Sequence, residues 1–131
     1  MAEKRLTVDN LLAEAREQID RLTPEEAAAE IDAGALLVDT RCDEDRINEG
    51  VIAESIHIPR TVLEWRADPA SEYRDERVAD LEARLILMCN DGYSSSLAAA
   101  NLVRLGFESV ADLDGGYRGW VEAGEPIERL G

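Results

Sequence analysis

A strand, a loop and the start of a helix are predicted by the stretch Leu85-Ile86-Leu87-Met88-Cys89-Asn90-Asp91-Gly92-Tyr93-Ser94-Ser95-Ser96. Its first four residues are a short continuous apolar run, which is typical of a strand buried on both faces of a sheet. Gly92 suits the positive φ of a tight loop, and one of the three serines can cap a helix that ends at Gly106. Cys89 is therefore predicted at the point where a buried strand passes into a loop.

The rest of the chain repeats this alternation of strands and helices. Further strands are predicted over residues 35–39, 55–59 and 107–113, and helices over 23–34, 61–66, 94–105 and 117–123. The charged segment 40–50 is predicted to be turn-like, and the acidic segment 69–80 a surface connection. This order predicts an α/β domain over residues 23–131, with a mostly parallel central sheet and helices on both faces.

Two helices are predicted near the start of the chain. The first covers residues 8–22, where apolar residues at spacings of three and four form one stripe: Val8, Leu11, Leu12, Ala15, Ile19 and Leu22. We expect residues 1–22 to form a helical extension packed on or beside the domain, with a homodimer through this helix as the alternative. The second helix starts with a capping box of Thr23 and Glu26 around Pro24.

Composition restricts the function. The 131 residues fit one domain, and 14 Lys and Arg against 29 Asp and Glu give a net charge of −15. Such an acidic surface argues against nucleic acid and membrane as partners. No apolar run approaches the roughly 20 residues of a membrane span, and residues 1–6 lack the apolar core of a secretion signal. We expect a soluble, cytoplasmic protein.

The two cysteines and the single histidine limit the chemistry. They cannot form a disulfide framework or a four-ligand zinc site made of Cys and His alone, so we expect no metal. We expect no cofactor either, because backbone N–H groups and a helix N-terminus can hold a negatively charged sulfur. Cys89 has the more informative position, because ligands of parallel α/β sheets bind beyond the carboxyl ends of the strands. Backbone N–H groups of its loop and the helix that follows can stabilise a nucleophilic thiolate. The alternative is a small buried apolar residue that ends a strand.

Several motifs in order resemble the rhodanese-like domains over about residues 23–130. Residues 37–41 are similar to a strand that ends in Asp-x-Arg, with Asp39 and Arg41 in those places. Residues 50–52 and 55–59 resemble the family's Gly-His-Ile and its strand before a proline. Residues 89–95 resemble the loop Cys-x-x-Gly-x-Arg-Ser, and residues 113–116 with Trp120 resemble the closing Gly-Gly and Trp element.

The resemblance implies sulfur transfer. Cys89 would be the catalytic residue, which takes sulfane sulfur as a persulfide from a small-molecule or protein-bound donor and passes it to a thiol or a cyanide-like acceptor. Asp39 and Arg41 would support the fold, and the residues of the loop would bind the substrate: Asn90, Asp91, Gly92, Tyr93, Ser94 and Ser95.

One departure from the family pattern concerns the donor. Ser94 stands where the pattern has arginine, a cation that would help to hold thiosulfate. One charge at about 4 Å is worth roughly 1 to 4 kcal/mol, so we expect poor turnover of thiosulfate and favour a persulfide donor. Arg41 and Arg118 are candidates to supply the charge, although Arg41 is expected to pair with an acidic neighbour and Arg118 to be a solvated helix residue.

Cys42 and His57 are the other two residues whose side chains could take part in chemistry. We expect Cys42 to be an incidental thiol, with resolution of an oxidised Cys89 as the alternative, and His57 to be a hydrogen-bonded structural residue.

The alternative to sulfur transfer is the function of a non-catalytic binding or regulatory module. A phosphatase or arsenate reductase is disfavoured, because that chemistry needs an arginine at the position of Ser95.

Overall fold

The computed structural model describes residues 5–130, so residues 1–4 of the predicted extension and residue 131 lie outside the described residues. Five parallel strands form one sheet in the order β1-β5-β4-β2-β3. Their bounds are β1 Asp20–Leu22, β2 Leu36–Asp39, β3 Ile56–His57, β4 Arg84–Met88 and β5 Ser109–Leu113. The predicted fold class is confirmed.

Helices cover the sheet on both faces. Their bounds are α1 Val8–Glu17, α2 Pro24–Asp32, α3 Asp43–Glu49, α4 Leu63–Ala67, α5 Ser94–Arg104 and α6 Gly116–Glu122, and one 3-10 turn at Arg60–Val62 precedes α4. Helices α4 and α5 pack on one face, and α2 and α6 pack on the other. Helix α1 lies against α5.

The central strand β4 divides the core by its alternation. Leu85 and Leu87 point into the cluster under α4 and α5, whereas Ile86 and Met88 point into the cluster under α2 and α6. All four side chains are fully buried, because successive residues of a strand face opposite sides of the sheet. The apolar run thus fixes β4 in the middle of the sheet and Cys89 at its carboxyl end.

The predicted start of α2 is confirmed. The Thr23 hydroxyl accepts from the Glu26 N–H at 3.2 Å, and the Glu26 carboxylate accepts from the Thr23 N–H at 2.9 Å. Pro24 occupies the first turn, where a missing N–H costs nothing.

The prediction of one helix over residues 8–22 is wrong at its end. Helix α1 stops at Glu17, and residues 20–22 form β1, the edge strand that pairs with β5. Leu22 is buried in the core from this strand. Leu6, Val8 and Leu11 are exposed, and the homodimer through this helix stays a prediction.

The prediction of a turn-like segment over residues 40–50 is also wrong, because α3 lies within it. Three acidic residues occupy its first turn, where negative side chains complement the helix dipole: Asp43, Glu44 and Asp45. The helix has no buried residue, so it lacks the apolar stripe by which a helix is recognised.

Across residues 5–130, every helix falls short of the length and apolarity that a membrane span requires.

Candidate active site

Cys89 directly follows β4, the middle strand of the sheet. Its Sγ accepts hydrogen bonds from the backbone N–H of Gly92 at 3.2 Å and of Ser95 at 3.4 Å. The residue is only 7% exposed. The loop therefore curls around the sulfur with its N–H groups inward, as the sequence predicts, and this arrangement stabilises an anion.

The N-terminal end of α6 holds the outer side of this loop. The Tyr117 N–H donates to the Cys89 carbonyl at 2.8 Å, and the Arg118 N–H donates to the Asn90 carbonyl at 3.0 Å. The approach requires glycine, because a Cβ on Gly116 would meet the Cys89 carbonyl oxygen at 2.5 Å. Gly92 has a φ of +86°, which confirms the predicted left-handed conformation.

The environment of Cys89 favours the thiolate. Burial raises the pKa of the thiol, but hydrogen bonds from Ser95, from Ser94 and from the Gly92 N–H together lower it, so that the net pKa lies below the usual value. The Ser95 hydroxyl has only one hydrogen, and Asp112 competes with the sulfur as its acceptor. Among the described residues, the backbone N–H groups of Gly92 and Ser95 have no such second acceptor.

A buried carboxylate lies behind the loop. Asp112 is fully buried, and its Oδ2 accepts from the hydroxyl of Ser95 at 3.0 Å and of Ser96 at 2.7 Å. Arg21 pairs with its Oδ1 at 3.0 Å. The prediction that a serine caps α5 is wrong: the cap position is Tyr93, which makes no side-chain cap, and the three serines lie inside the first turn of the helix.

Two arginines from outside the loop bind its Gly92 carbonyl. Arg16 of α1 and Arg21 of β1 each donate to this oxygen at 2.9 Å. Arg16 also donates to the Ser96 hydroxyl at 3.1 Å, and its guanidinium lies 5.8 Å from the ring centre of Tyr93. Helix α1 therefore contributes directly to the conformation of the cysteine loop.

The remaining loop residues differ in exposure and in bonding. Asp91 is exposed and binds Arg118 through both carboxylate oxygens at 3.1 and 2.9 Å, and Tyr93 is 63% exposed. The Asn90 Oδ1 is buried without a hydrogen-bond partner among residues 5–130, and Asn90 lines the cavity at Cys89. The acceptor capacity of this oxygen is therefore unused within the described residues.

Asp39 and Arg41 form a buried pair at the end of β2. Arg41 donates to Asp39 from Nε at 3.0 Å and from Nη2 at 2.9 Å, and its guanidinium stacks on the ring of Tyr117 at 3.8 Å. Through Tyr117 the pair braces α6, which holds the cysteine loop. Arg41 is thus engaged within the fold, and so is Arg118, which binds Glu49 as well as Asp91.

A cavity of about 390 Å³ opens at Cys89. It is lined by the ends of β2 and β4 and by the segment after β3: Thr40, Arg41, Cys42, Asp45, Pro59, Arg60, Thr61, Cys89, Asn90 and Ser94. Cys42 is exposed at this cavity and both cysteines are free, while its redox role stays a prediction. Arg60 has no local signal in the sequence, because its place in the cavity depends on the packing of β3 beside β2.

His57 is a structural residue, as the sequence predicts. Its Nε2 lies 2.7 Å from the Arg41 carbonyl oxygen, and it does not line the cavity at Cys89.

Fold and loop together define a parallel α/β domain with a buried cysteine whose sulfur accepts backbone N–H bonds at the end of the middle strand. The model of the rhodanese-like domain family matches residues 23–123. The chain belongs to this family.

Relatives over most of the chain carry the name thiosulfate sulfurtransferase GlpE. The one from Pseudomonas syringae is 37% identical over 103 residues, which cover 79% of this chain and 88% of the relative. The one from Stutzerimonas stutzeri is 40% identical over 101 residues, which cover 76% and 83%.

Solved structures agree with the fold. A Rhodopseudomonas palustris protein of unknown function, described as a possible tyrosine phosphatase, has a TM-score of 0.87 and 30% identity over 98% of this chain and 99% of its own. The thiosulfate sulfurtransferase of Pseudomonas aeruginosa has a TM-score of 0.75 and 27% identity over 93% of this chain and 22% of its own.

Proposed function

We propose that the protein is a sulfurtransferase in which Cys89 carries sulfane sulfur as a persulfide. The observation that carries this proposal is the pair of N–H bonds, from Gly92 and Ser95, to a sulfur with a lowered pKa. The relatives named thiosulfate sulfurtransferase support the same reaction class.

The reaction has two displacement steps. The Cys89 thiolate attacks the sulfane sulfur of a donor, so that a new S–S bond forms and the donor leaves with the electron pair of its broken bond. An acceptor thiolate or a cyanide-like nucleophile then attacks the outer sulfur and releases the Cys89 thiolate. The same N–H groups stabilise the negative charge in the free and the sulfur-loaded states, and the two steps leave the enzyme unchanged.

The donor is the finer part of the proposal. The names of the relatives raise thiosulfate, whereas Ser94 and Asp91 bring no positive charge to the loop, and Arg41 and Arg118 are both paired with carboxylates. We therefore expect weaker binding of thiosulfate than in a protein with arginine at position 94, and efficient loading from a small or protein-bound persulfide.

Intact mass spectrometry tests the proposal. The protein is incubated with thiosulfate or with a low-molecular-weight persulfide, and we expect the mass of one added sulfur atom, which a reductant removes. The Cys42→Ser variant should keep the added mass and the Cys89→Ser variant should lose it. Absence of an adduct with every donor would overturn the proposal and favour a non-catalytic binding module.

A parallel assay with an aryl phosphate separates sulfur transfer from phosphatase chemistry. Ser95 stands where the cysteine phosphatase reaction needs arginine, so we expect no Cys89-dependent hydrolysis.

A further inference from the structure

The cavity at Cys89 has an uneven charge distribution. Its charged lining residues are Arg41, Asp45 and Arg60. Arg41 is only 4% exposed and is held by Asp39 and by the Gly50 carbonyl, and its Nη1 is buried without a partner among residues 5–130, so it presents little surface to a ligand. Arg60, whose side chain is 35% exposed, is therefore the accessible cation of the cavity wall among the described residues.

Arg60 uses only part of its hydrogen-bonding capacity. Its Nη1 donates to both carboxylate oxygens of Glu64 at 3.0 Å. Within residues 5–130, Nε and Nη2 donate no hydrogen bond. A guanidinium has five N–H donors in a fixed plane, so a fork that suits an oxyanion remains open.

The fold holds this guanidinium in place. The Arg60 N–H donates to the Thr40 carbonyl at 3.1 Å, which ties the residue to the end of β2. Its partner Glu64 accepts from Asn101 of α5 at 2.9 Å. Helix α5 begins at the cysteine loop, so Asn101 and Glu64 couple the position of Arg60 to the helix that follows Cys89.

We propose that Arg60 is a substrate-binding residue that draws small anionic sulfur donors to Cys89. This inference rests on the proposed function for the identity of the ligand. Asp45 lies in the same cavity wall, and its negative charge counteracts the positive charge of Arg60. The two charges together determine the preference between anionic and neutral donors. Arg60 also pairs with a carboxylate but, within the described part of the chain, keeps Nε and Nη2 free, whereas Arg118 uses all three of its nitrogens on two carboxylates.

Alkylation of Cys89 measures this selection without sulfur transfer. In a Cys42→Ser background Cys89 is the only thiol, and its reaction rates with anionic iodoacetate and neutral iodoacetamide give a charge-selection ratio. We expect Arg60→Ala to lower the ratio of iodoacetate to iodoacetamide rates about fivefold, since one charge acting through a largely aqueous dielectric has about this effect. Arg60→Lys should keep most of the ratio.

Two variants serve as controls. Asp45→Asn should raise the ratio, because it removes the opposing charge of the cavity. Arg74→Ala changes the net charge equally, but Arg74 pairs with Glu76 outside the cavity, so the ratio should stay at the parent value. An equal ratio in Arg60→Ala and its parent, or an equal fall in Arg74→Ala, would overturn the inference.

Donor kinetics then connect the residue to sulfur transfer. Arg60→Ala should raise the KM for thiosulfate about fivefold with little change in kcat, and added salt should reduce the difference between variant and parent. A uniform loss of kcat with every donor would instead indicate a structural role. If Cys89 takes up no sulfur while the alkylation ratio still falls in Arg60→Ala, the proposed function fails and the anion-binding role of Arg60 stands.

Discussion

Arg16 donates from Nη2 to the carbonyl oxygen of Gly92 at 2.9 Å and so ties helix α1 to the loop that surrounds Cys89. Arg16 precedes residues 23–123, the part of the chain that matches the family model. Arg21 binds the same oxygen and also lies before that region. The segment before the family domain is therefore part of the framework of the candidate active site.

Replacing Arg16 should disturb the thiol through the loop. Arg16→Ala removes charge-assisted hydrogen bonds to Gly92 and Ser96, and we expect a loss of about 1–2 kcal/mol in the free energy of unfolding. The pKa of Cys89 should rise because the loop N–H groups are less well held. Urea denaturation and the pH dependence of iodoacetamide alkylation measure the two effects.

Arg104→Ala is the control for this prediction. Arg104 is exposed near the end of α5, so its loss changes the net charge equally without touching the loop. An Arg16→Ala protein with unchanged stability and an unchanged thiol pKa would refute a role of α1 in the site.

The reactivity of Cys89 should depend on pH in a defined direction. Because the folded protein lowers the thiol pKa, the thiolate persists below the usual midpoint of about 8.5. In the Cys42→Ser background, the alkylation rate should rise with pH and reach its plateau with a midpoint below that of the urea-unfolded protein. Ser94→Ala should move the midpoint upward, because the Ser94 side chain is one of the causes that lower the thiol pKa. A folded midpoint at or above the unfolded one contradicts the thiolate assignment.

A matched pair of glycine substitutions tests the contact between α6 and the loop. Gly116→Ala places a Cβ within 2.6 Å of the Asn90 carbonyl group, so the loop or the helix must move and sulfur loading should fall sharply. Gly124→Ala has the same left-handed strain, with a φ of +81°, but no atom within 4 Å of the new Cβ. It should cost only about 1–2 kcal/mol in the free energy of unfolding and retain loading. Equal loading in both variants would mean that this contact does not shape the site.

A second matched pair tests the buried carboxylate. Asp112→Asn removes the charge that binds Arg21 and two serine hydroxyls in a fully buried place, and we expect a loss of about 3 kcal/mol in the free energy of unfolding. Asp114→Asn changes the other partner of Arg21, which is 56% exposed, and should cost less than about 1 kcal/mol. Denaturation curves of the two variants give the comparison, and equal losses would show that burial does not control this network.

The features predicted well from sequence are those whose signal is local. The apolar run before Cys89 predicts a buried strand, Thr23 and Glu26 predict a helix start, and Gly92 predicts a left-handed turn, because each pattern acts over a few neighbouring residues. The fold class follows from the order of these elements.

The features missed from sequence depend on packing between distant segments. Leu22 continues a helical spacing but is drawn into the core as part of an edge strand beside β5. Ser95 and Ser96 look like helix caps, but they lie inside the helix and donate to Asp112, which is 16 or 17 residues away. Arg60 enters the cavity only because β3 pairs with β2. No short window of sequence contains such partners.

The loop around Cys89 is fastened by Arg16 and Arg21 from one end of the chain and by Tyr117 and Arg118 from the other. The conformation that lowers the pKa of the Cys89 thiol is therefore expected to form only after both segments have folded against the loop. We expect a nascent chain that has not reached residue 118 to carry Cys89 with the pKa of an unfolded thiol. For the same reason, cleavage that releases either segment should raise the pKa of the Cys89 thiol without a cut in the loop itself.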